Sequence, residues 1–192
     1  MMKLSIIACS LVMTLYAHNA MAQEHTHFEE QAQKAIKELA TSLKAALVDA
    51  MEKGGPIAAI PVCSQIAPTI ASELSYKYGM TVARTSLKVR NPANHPDSWE
   101  EAVLQQFEQR KAEGEPISAL VFSGERVEDH QNEQWRMMKA IPTETVCLTC
   151  HGSNIEAPVQ AILNELYPDD QATGYNLGDI RGAFSIGKIR MR

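Results

Sequence analysis

The stretch CLTCHG, residues 147–152, sets the organisation of this chain, because it places two cysteines one turn apart and a histidine directly after the second. Two thiols at this spacing with an adjacent imidazole are typical of a covalently attached c-type haem. The porphyrin vinyl groups that react with the thiols lie on one edge of the ring, so the thiols must lie about one helical turn apart. The motif predicts one covalent haem c, with thioether bonds to Cys147 and Cys150 and with His151 as a ligand to the iron.

Two other uses of a CxxC pair compete with haem attachment. A structural zinc site needs four ligands, and the sequence has no second closely spaced pair of cysteines. A thioredoxin-like dithiol is expected where a strand meets a helix in a βαβ unit, and no such pattern surrounds Val146. Haem attachment is therefore the preferred interpretation.

The N-terminus has the composition of a signal peptide. A basic residue, Lys3, precedes an apolar stretch at 4–16, and Ala20-Met21-Ala22 has the small-x-small pattern of a cleavage site. The apolar stretch is shorter than the roughly 20 residues that a spanning helix needs. We predict a signal peptide at residues 1–22 and a single domain at 23–192, located in the periplasm without stable membrane insertion.

The cysteine count singles out Cys63. The chain has four cysteines and a formal net charge of −5 at pH 7, a mild acidity that argues against nucleic acid as a partner. Cleavage would remove Cys9, and haem attachment would use Cys147 and Cys150. Cys63 is then an odd thiol in an oxidising compartment, where it is a buried small hydrophobe, half of an intermolecular disulfide or a thiolate ligand to iron.

Two helices are predicted before the first strand. Apolar residues recur at helical spacing from Thr26 to about Lys53, with Thr26 and Glu29 as a capping box and Gly54-Gly55-Pro56 as the end. Pro61 can open a second helix, which Pro68 should kink soon after Cys63. The inner face of this second helix is predicted to consist of Cys63, Ile66, Ala67, Ile70, Ala71 and Leu74.

Residues 81–90 alternate as a strand does. The predicted core face is Ala83, Thr85, Leu87 and Val89, and the predicted outer face is Arg84, Ser86, Lys88 and Arg90. The outer face reads as a solvated cationic face. Haem propionates also need cationic partners, and a guanidinium can bind a carboxylate with two parallel bonds, so Arg84, Arg90 and Arg181 are candidates for that role.

The rest of the pattern alternates helices with strands. A capping box of Asp97 and Glu100 opens a helix that ends at Gly114, and strands are predicted at 117–122 and 135–141. A helix at 155–166 is expected to cover the histidine side of the haem. A last strand at 179–189 shows one apolar face, so the whole indicates an α+β fold with helices packed on an antiparallel sheet.

Four stretches together resemble the Tll0287-like family of haem proteins. They are CSQIAPTIA (63–71), RTSLKVRNPAN (84–94), CLTCHG (147–152) and GDIRGA (178–183), in the same order along the chain. The resemblance implies a PAS-like fold and a haem iron held between His151 and Cys63. Members of the family are standalone exported proteins or sensory domains of membrane-bound signalling proteins.

The expected function follows from the ligands. An iron with both axial positions filled has no open position, so an enzymatic role is disfavoured, and a peroxidase ranks lowest because no distal base is recognisable. A thiolate ligand favours a low-potential electron-transfer protein, whose redox partner the sequence does not name. The alternative is a redox or diatomic-gas sensor for NO or CO, in which Cys63 dissociates. If Cys63 is not the ligand, the remaining candidates are Met80, Met137, Met138, His95 and His130.

Overall fold

An antiparallel sheet with strand order β1-β4-β3-β2 forms the centre of the structure, a computed structural model that describes residues 3–127 and 132–191. Its strands are β1 (Thr81–Thr85), β2 (Val121–Val127), β3 (Asn132–Pro142) and β4 (Ile180–Met191). Every neighbouring pair is antiparallel. Together with a long N-terminal helix, this sheet confirms the predicted α+β class.

Strand β4 is covered on both faces, which corrects the prediction of a single apolar face. It lies between β1 and β3, and Ala183, Phe184, Ser185 and Ile186 are all buried. Because successive side chains point to opposite faces of a strand, burial of four in a row requires a covering layer on each side. Alternation in the sequence cannot distinguish such a strand from one with a solvated face.

Helix α1 (Lys3–Pro61) forms much of one covering layer. Its residues Phe28, Ala32, Ile36 and Leu39 pack with Met137 and Ile186 of the sheet. The predicted capping box is not formed, because Thr26 lies inside the helix and its hydroxyl donates to the carbonyl of Ala22 at 2.9 Å. The predicted end at Gly54-Gly55-Pro56 is a kink at Gly55 (φ 68°, ψ −162°), after which the helix resumes.

The helical stretch 22–78 is long and apolar enough to cross a membrane by composition. It contains an 18-residue window of mean hydropathy 1.3, of which 28% is buried inside the protein. Helices in protein cores and signal sequences reach the same length and hydropathy. The signal peptide at 1–22 and the absence of membrane insertion therefore stay predictions.

A π-helical turn, Val62–Ile66, joins α1 to α2 (Ala67–Tyr78) and carries Cys63. Pro68 lies in the first turn of α2, directly after the π-helical turn. The predicted irregular backbone near Cys63 is thus present. Of the predicted inner face, Ala67 and Leu74 are buried, whereas Ile66 and Cys63 are exposed.

The strand predicted at 81–90 ends at Thr85. Beyond that residue the predicted core face and the predicted outer face are both wrong. The hydroxyl of Ser86 donates to the carbonyl of Arg181 at 2.8 Å and accepts from the amide of Lys88 at 3.2 Å. These side-chain bonds replace the strand ladder and turn the chain away from the sheet. Leu87 is consequently 38% exposed, and Arg90 is buried.

Helix α3 (Ser98–Ala112) packs on the other face of the sheet through Val103, Leu104 and Phe107. The predicted capping box is confirmed: the Asp97 carboxylate accepts from the amide of Glu100 at 2.8 Å, and Glu100 accepts from the amide of Asp97 at 3.0 Å. A 3₁₀ turn occupies Ile117–Ala119, so β2 begins later than predicted and runs through Ser123 and Gly124.

We expect the buried Arg136 to stabilise the packing of α3 on the sheet. Its side chain is 7% exposed and binds Asp97 at 2.6 Å and Glu100 at 2.9 Å. Arg136→Met keeps most of the apolar volume but leaves Glu100, whose side chain is 12% exposed, without its cation. Loss of one partner costs about 3–5 kcal/mol in typical buried pairs. Urea denaturation should show a loss of that size in the free energy of unfolding.

Lys77→Met is the matched control, because Lys77 pairs with Glu38 on the exposed surface. Exposed pairs contribute little to stability, so the denaturation midpoint of this variant should stay near that of the wild type. Equal effects of the two substitutions would contradict the role given to Arg136.

Candidate functional site

One cavity brings together the residues singled out by the sequence. It lies at the end of the sheet where β1 and β3 end and β4 begins, and its volume is about 1140 Å³, part of which opens to solvent. The predicted site residues that line the cavity are Cys63, Arg84, Arg90, Cys147, Cys150, His151 and Arg181.

The CLTCHG stretch folds as a 3₁₀ turn, Thr145–Cys147, followed by the short helix α4 (Leu148–His151). One helical turn therefore separates the two cysteines, and both face the cavity. The turn closes tightly, since the amide of Gly152 donates to the carbonyl of Leu148 at 2.9 Å. A Cβ atom at Gly152 would lie 2.6 Å from that carbonyl oxygen, which explains why glycine follows the histidine.

His151 is prepared to bind a metal through one ring nitrogen. Its Nδ1 lies 2.7 Å from the carbonyl oxygen of Ala172. Because a carbonyl only accepts, we assign the proton to Nδ1, which leaves Nε2 with a free lone pair. Burial lowers the pKa of His151 well below its ordinary value, and the charges of Arg181 and Arg90 act in the same direction. The imidazole is therefore neutral at pH 7.

The CLTCHG turn lacks the surroundings of a thioredoxin-like dithiol, because a 3₁₀ turn precedes α4 and the neighbouring strands of the described sheet are antiparallel. Burial raises the pKa of the Cys150 thiol. In the described parts of the chain, no three His, Cys, Asp or Glu side chains converge as ligands to a metal ion would. Both thiols of the CxxC pair line the cavity, where they can form covalent bonds to a group bound inside it.

Cys63 reaches the same cavity from a different element, the π-helical turn after α1. It is exposed there, which rules out the reading of Cys63 as a buried small hydrophobe. The thiol lies near Arg84 and Tyr167, close enough to influence the pKa of each group. The fold thus places a lone thiol and the CLTCHG histidine on the wall of one cavity.

Arg84 and Arg181 are partly buried cations on the wall of the cavity. Burial lowers the pKa of both guanidinium groups from the ordinary value. Arg181 donates to the Ser86 hydroxyl at 3.2 Å and lies over the Tyr175 ring at 5.3 Å. Among residues 22–125 and 134–189, neither arginine forms an ion pair with a carboxylate. Partly buried guanidinium groups without a carboxylate partner are suited to bind an anion that enters the cavity.

Arg90 differs from these two, because its guanidinium is already paired. It binds the carboxylate of Asp170 at 2.9 Å, and both side chains are buried. Sequence reasoning missed Asp170, which pairs with Arg90. It also missed Ala172 and Tyr175, which contact the His151 ring although more than twenty residues separate them from it in the chain. No spacing rule connects them to the motif, so sequence alone offered no signal for them.

The other candidates for an iron ligand lie away from the cavity. Met80, Met137 and Met138 are buried in the two cores of the sheet, and none of them lines the cavity. The ring of His95 lies on the surface, with Nδ1 3.2 Å from the carbonyl of Pro96. His130 falls outside the described residues.

Comparison with known proteins bears on the family and the fold of this chain. The sequence profile of the Tll0287-like family matches residues 13–188. A crystal structure of the cyanobacterial heme-protein Tll0287 has a TM-score of 0.56 at 23% identity, covering 91% of this chain and 97% of that one. At this identity the likeness concerns the fold. No curated protein matches the chain. Because the family profile spans nearly all of the sequence, the chain belongs to the Tll0287-like family.

Proposed function

We propose that the protein binds one haem c in this cavity and acts as an exported, low-potential electron-transfer protein in the periplasm. The strongest support is that two turns distant in sequence, the CLTCHG turn and the turn that carries Cys63, line the same cavity. A family member of the same fold is described as a heme-protein, which agrees with the proposal.

The cavity wall fits such a group in chemical terms. Aliphatic side chains, including Leu47, Met51, Ile60 and Leu163, would cover an apolar ring and exclude water from it. Arg84 and Arg181, which lack carboxylate partners among the described residues, would bind the two propionates. Arg90 is left out of this pair because Asp170 already neutralises it.

The chain supplies covalent attachment and both axial ligands. Cys147 and Cys150 would form the thioether bonds, and His151 would bind the iron through Nε2, since Nδ1 is held by Ala172. When bound, haem supplies an iron that accepts and releases one electron. The Cys63 thiolate would donate charge to ferric iron, favour the oxidised state and so keep the reduction potential low.

A second function, sensing of redox state or of NO or CO, has one structural observation in its favour. Cys63 lies on a π-helical turn, and such turns occur often at functional sites where the backbone departs from regular geometry. The kink at Gly55 and the proline at 68 bound this segment on either side. A ligand carried on an irregular turn can leave the iron at a lower cost than one carried on a regular helix.

Covalent attachment predicts that haem stays with the chain after denaturation. Expressed in a host that matures c-type cytochromes, the wild type should be red and should keep its haem through acid-acetone extraction. The double variant Cys147→Ser/Cys150→Ser should lose it, while Cys63→Ser should retain it, because Cys63 forms no thioether. Extraction of haem from the wild type would contradict the proposal.

Exposure of the reduced protein to CO separates the two functions. For electron transfer, we expect the wild type to be inert to CO because Cys63 and His151 occupy both axial positions. Cys63→Ala should bind CO rapidly, which stopped-flow absorption measures. Rapid CO binding by the wild type, at a rate like that of Cys63→Ala, would overturn electron transfer in favour of sensing.

A further inference from the structure

The ion pair of Arg90 and Asp170 is among the most deeply buried in the described residues, and the proposed function assigns it no role. The two side chains are 8% and 6% exposed. Nε of Arg90 donates to Oδ2 of Asp170 at 3.0 Å, and Nη2 lies 2.9 Å from the same oxygen. The pair joins the segment after β1 to the loop between α5 (Ala157–Leu166) and β4.

The same pair also binds the main chain at two positions next to His151: Cys150, which precedes it in the chain, and Ala172, which contacts its ring. Nη2 of Arg90 donates to the carbonyl of Cys150 at 2.5 Å, directly before the histidine. It also donates to the carbonyl of Ala172 at 3.3 Å. Oδ1 of Asp170 accepts from the amide of Ala172 at 2.8 Å, so the ion pair fixes both polar groups of that peptide position.

Ala172 is the residue whose carbonyl accepts the Nδ1 proton of His151 at 2.7 Å. Ala172 is fully buried, so water cannot take over this bond. The loop is further fastened to the motif by the amides of Gly174 and Tyr175, which donate to the carbonyls of Gly152 and His151 at 3.1 and 2.9 Å. A chain of contacts thus leads from the ion pair through Ala172 to the imidazole.

We propose that Arg90 and Asp170 are positioning residues for His151. They hold the Ala172 carbonyl where it keeps the proton on Nδ1 and Nε2 directed to the iron. This inference rests on the proposed function and assigns Arg90 a structural partner in place of a propionate. Outer partners of metal-ligating histidines commonly fix the tautomer and raise the basicity of the ring, and their loss typically costs about 10–100-fold in metal affinity or activity.

The consequence concerns the reduction potential and the ligand geometry. A short Nδ1–H···O bond makes the imidazole a better donor, which favours ferric iron. Loosening the loop should weaken this bond, raise the potential and let the ring adopt a range of orientations. A role that only supported folding would leave both properties of the folded holoprotein unchanged.

Two variants of the holoprotein test the proposal. Asp170→Asn removes the carboxylate charge, and Arg90→Lys keeps the charge but loses the fork that binds Asp170 and two carbonyls together. We expect both to show a raised reduction potential in a spectroelectrochemical titration and broadened low-spin ferric EPR lines. Asp169→Asn is the matched control: Asp169 precedes Asp170 in the chain but is exposed, so its variant should match the wild type.

The outcomes separate clearly. Wild-type potential and line shape in both test variants would overturn the proposal, and so would a shift in Asp170→Asn alone, which would indicate an effect of charge only. If Asp170→Asn does not fold, Arg90→Lys decides by itself, because it keeps both charges in place. Covalent haem in the variants, together with a wild type that is inert to CO, would leave the proposed function intact where this inference fails, whereas a wild type without haem would overturn both.

Discussion

The site depends on a close approach of two backbones at the end of the sheet. A Cβ atom at Gly182 would lie 2.3 Å from the carbonyl oxygen of Thr85, so only glycine allows β1 and β4 to meet there. Directly after this point Ser86 bonds to the carbonyl of Arg181, and the chain leaves the sheet. Arg84, before this point, and Arg90, after it, both line the cavity.

The two faces of the sheet support different parts of the structure. On one face, α1 and α2 build the larger core, and the turn between these helices carries Cys63. On the other face, α3 is fixed by Arg136 with Asp97 and Glu100, away from the cavity. Because the site lies at the end of the sheet, loops from both sides reach it, while the strands that position them remain packed.

The sequence could predict which residues meet at the cavity further than it could predict their geometry. The spacing of the CLTCHG motif singled out Cys147, Cys150 and His151, and all three line the cavity. Counting thiols singled out Cys63 but left three roles open for it, and the start of α3 followed from its capping box. The length of β1 and the burial of both faces of β4 could not be predicted. Where a strand ends and which of its alternating side chains are buried depend on neighbours that are distant in sequence. The partner of Arg90 was missed for the same reason: Asp170 lies in another loop, and a short-range pattern cannot show which cations are already paired.

The central claim is that His151 and Cys63 hold the same iron, and X-ray absorption at the iron edge tests it most directly. The account predicts one sulfur atom among the nearest neighbours of ferric iron in the wild type, with nitrogen atoms in the remaining positions. This sulfur should be absent from Cys63→Ser, since the thioether sulfurs of Cys147 and Cys150 bond to the porphyrin and not to the metal. A wild-type spectrum without sulfur, or an unchanged sulfur signal in Cys63→Ser, would contradict it.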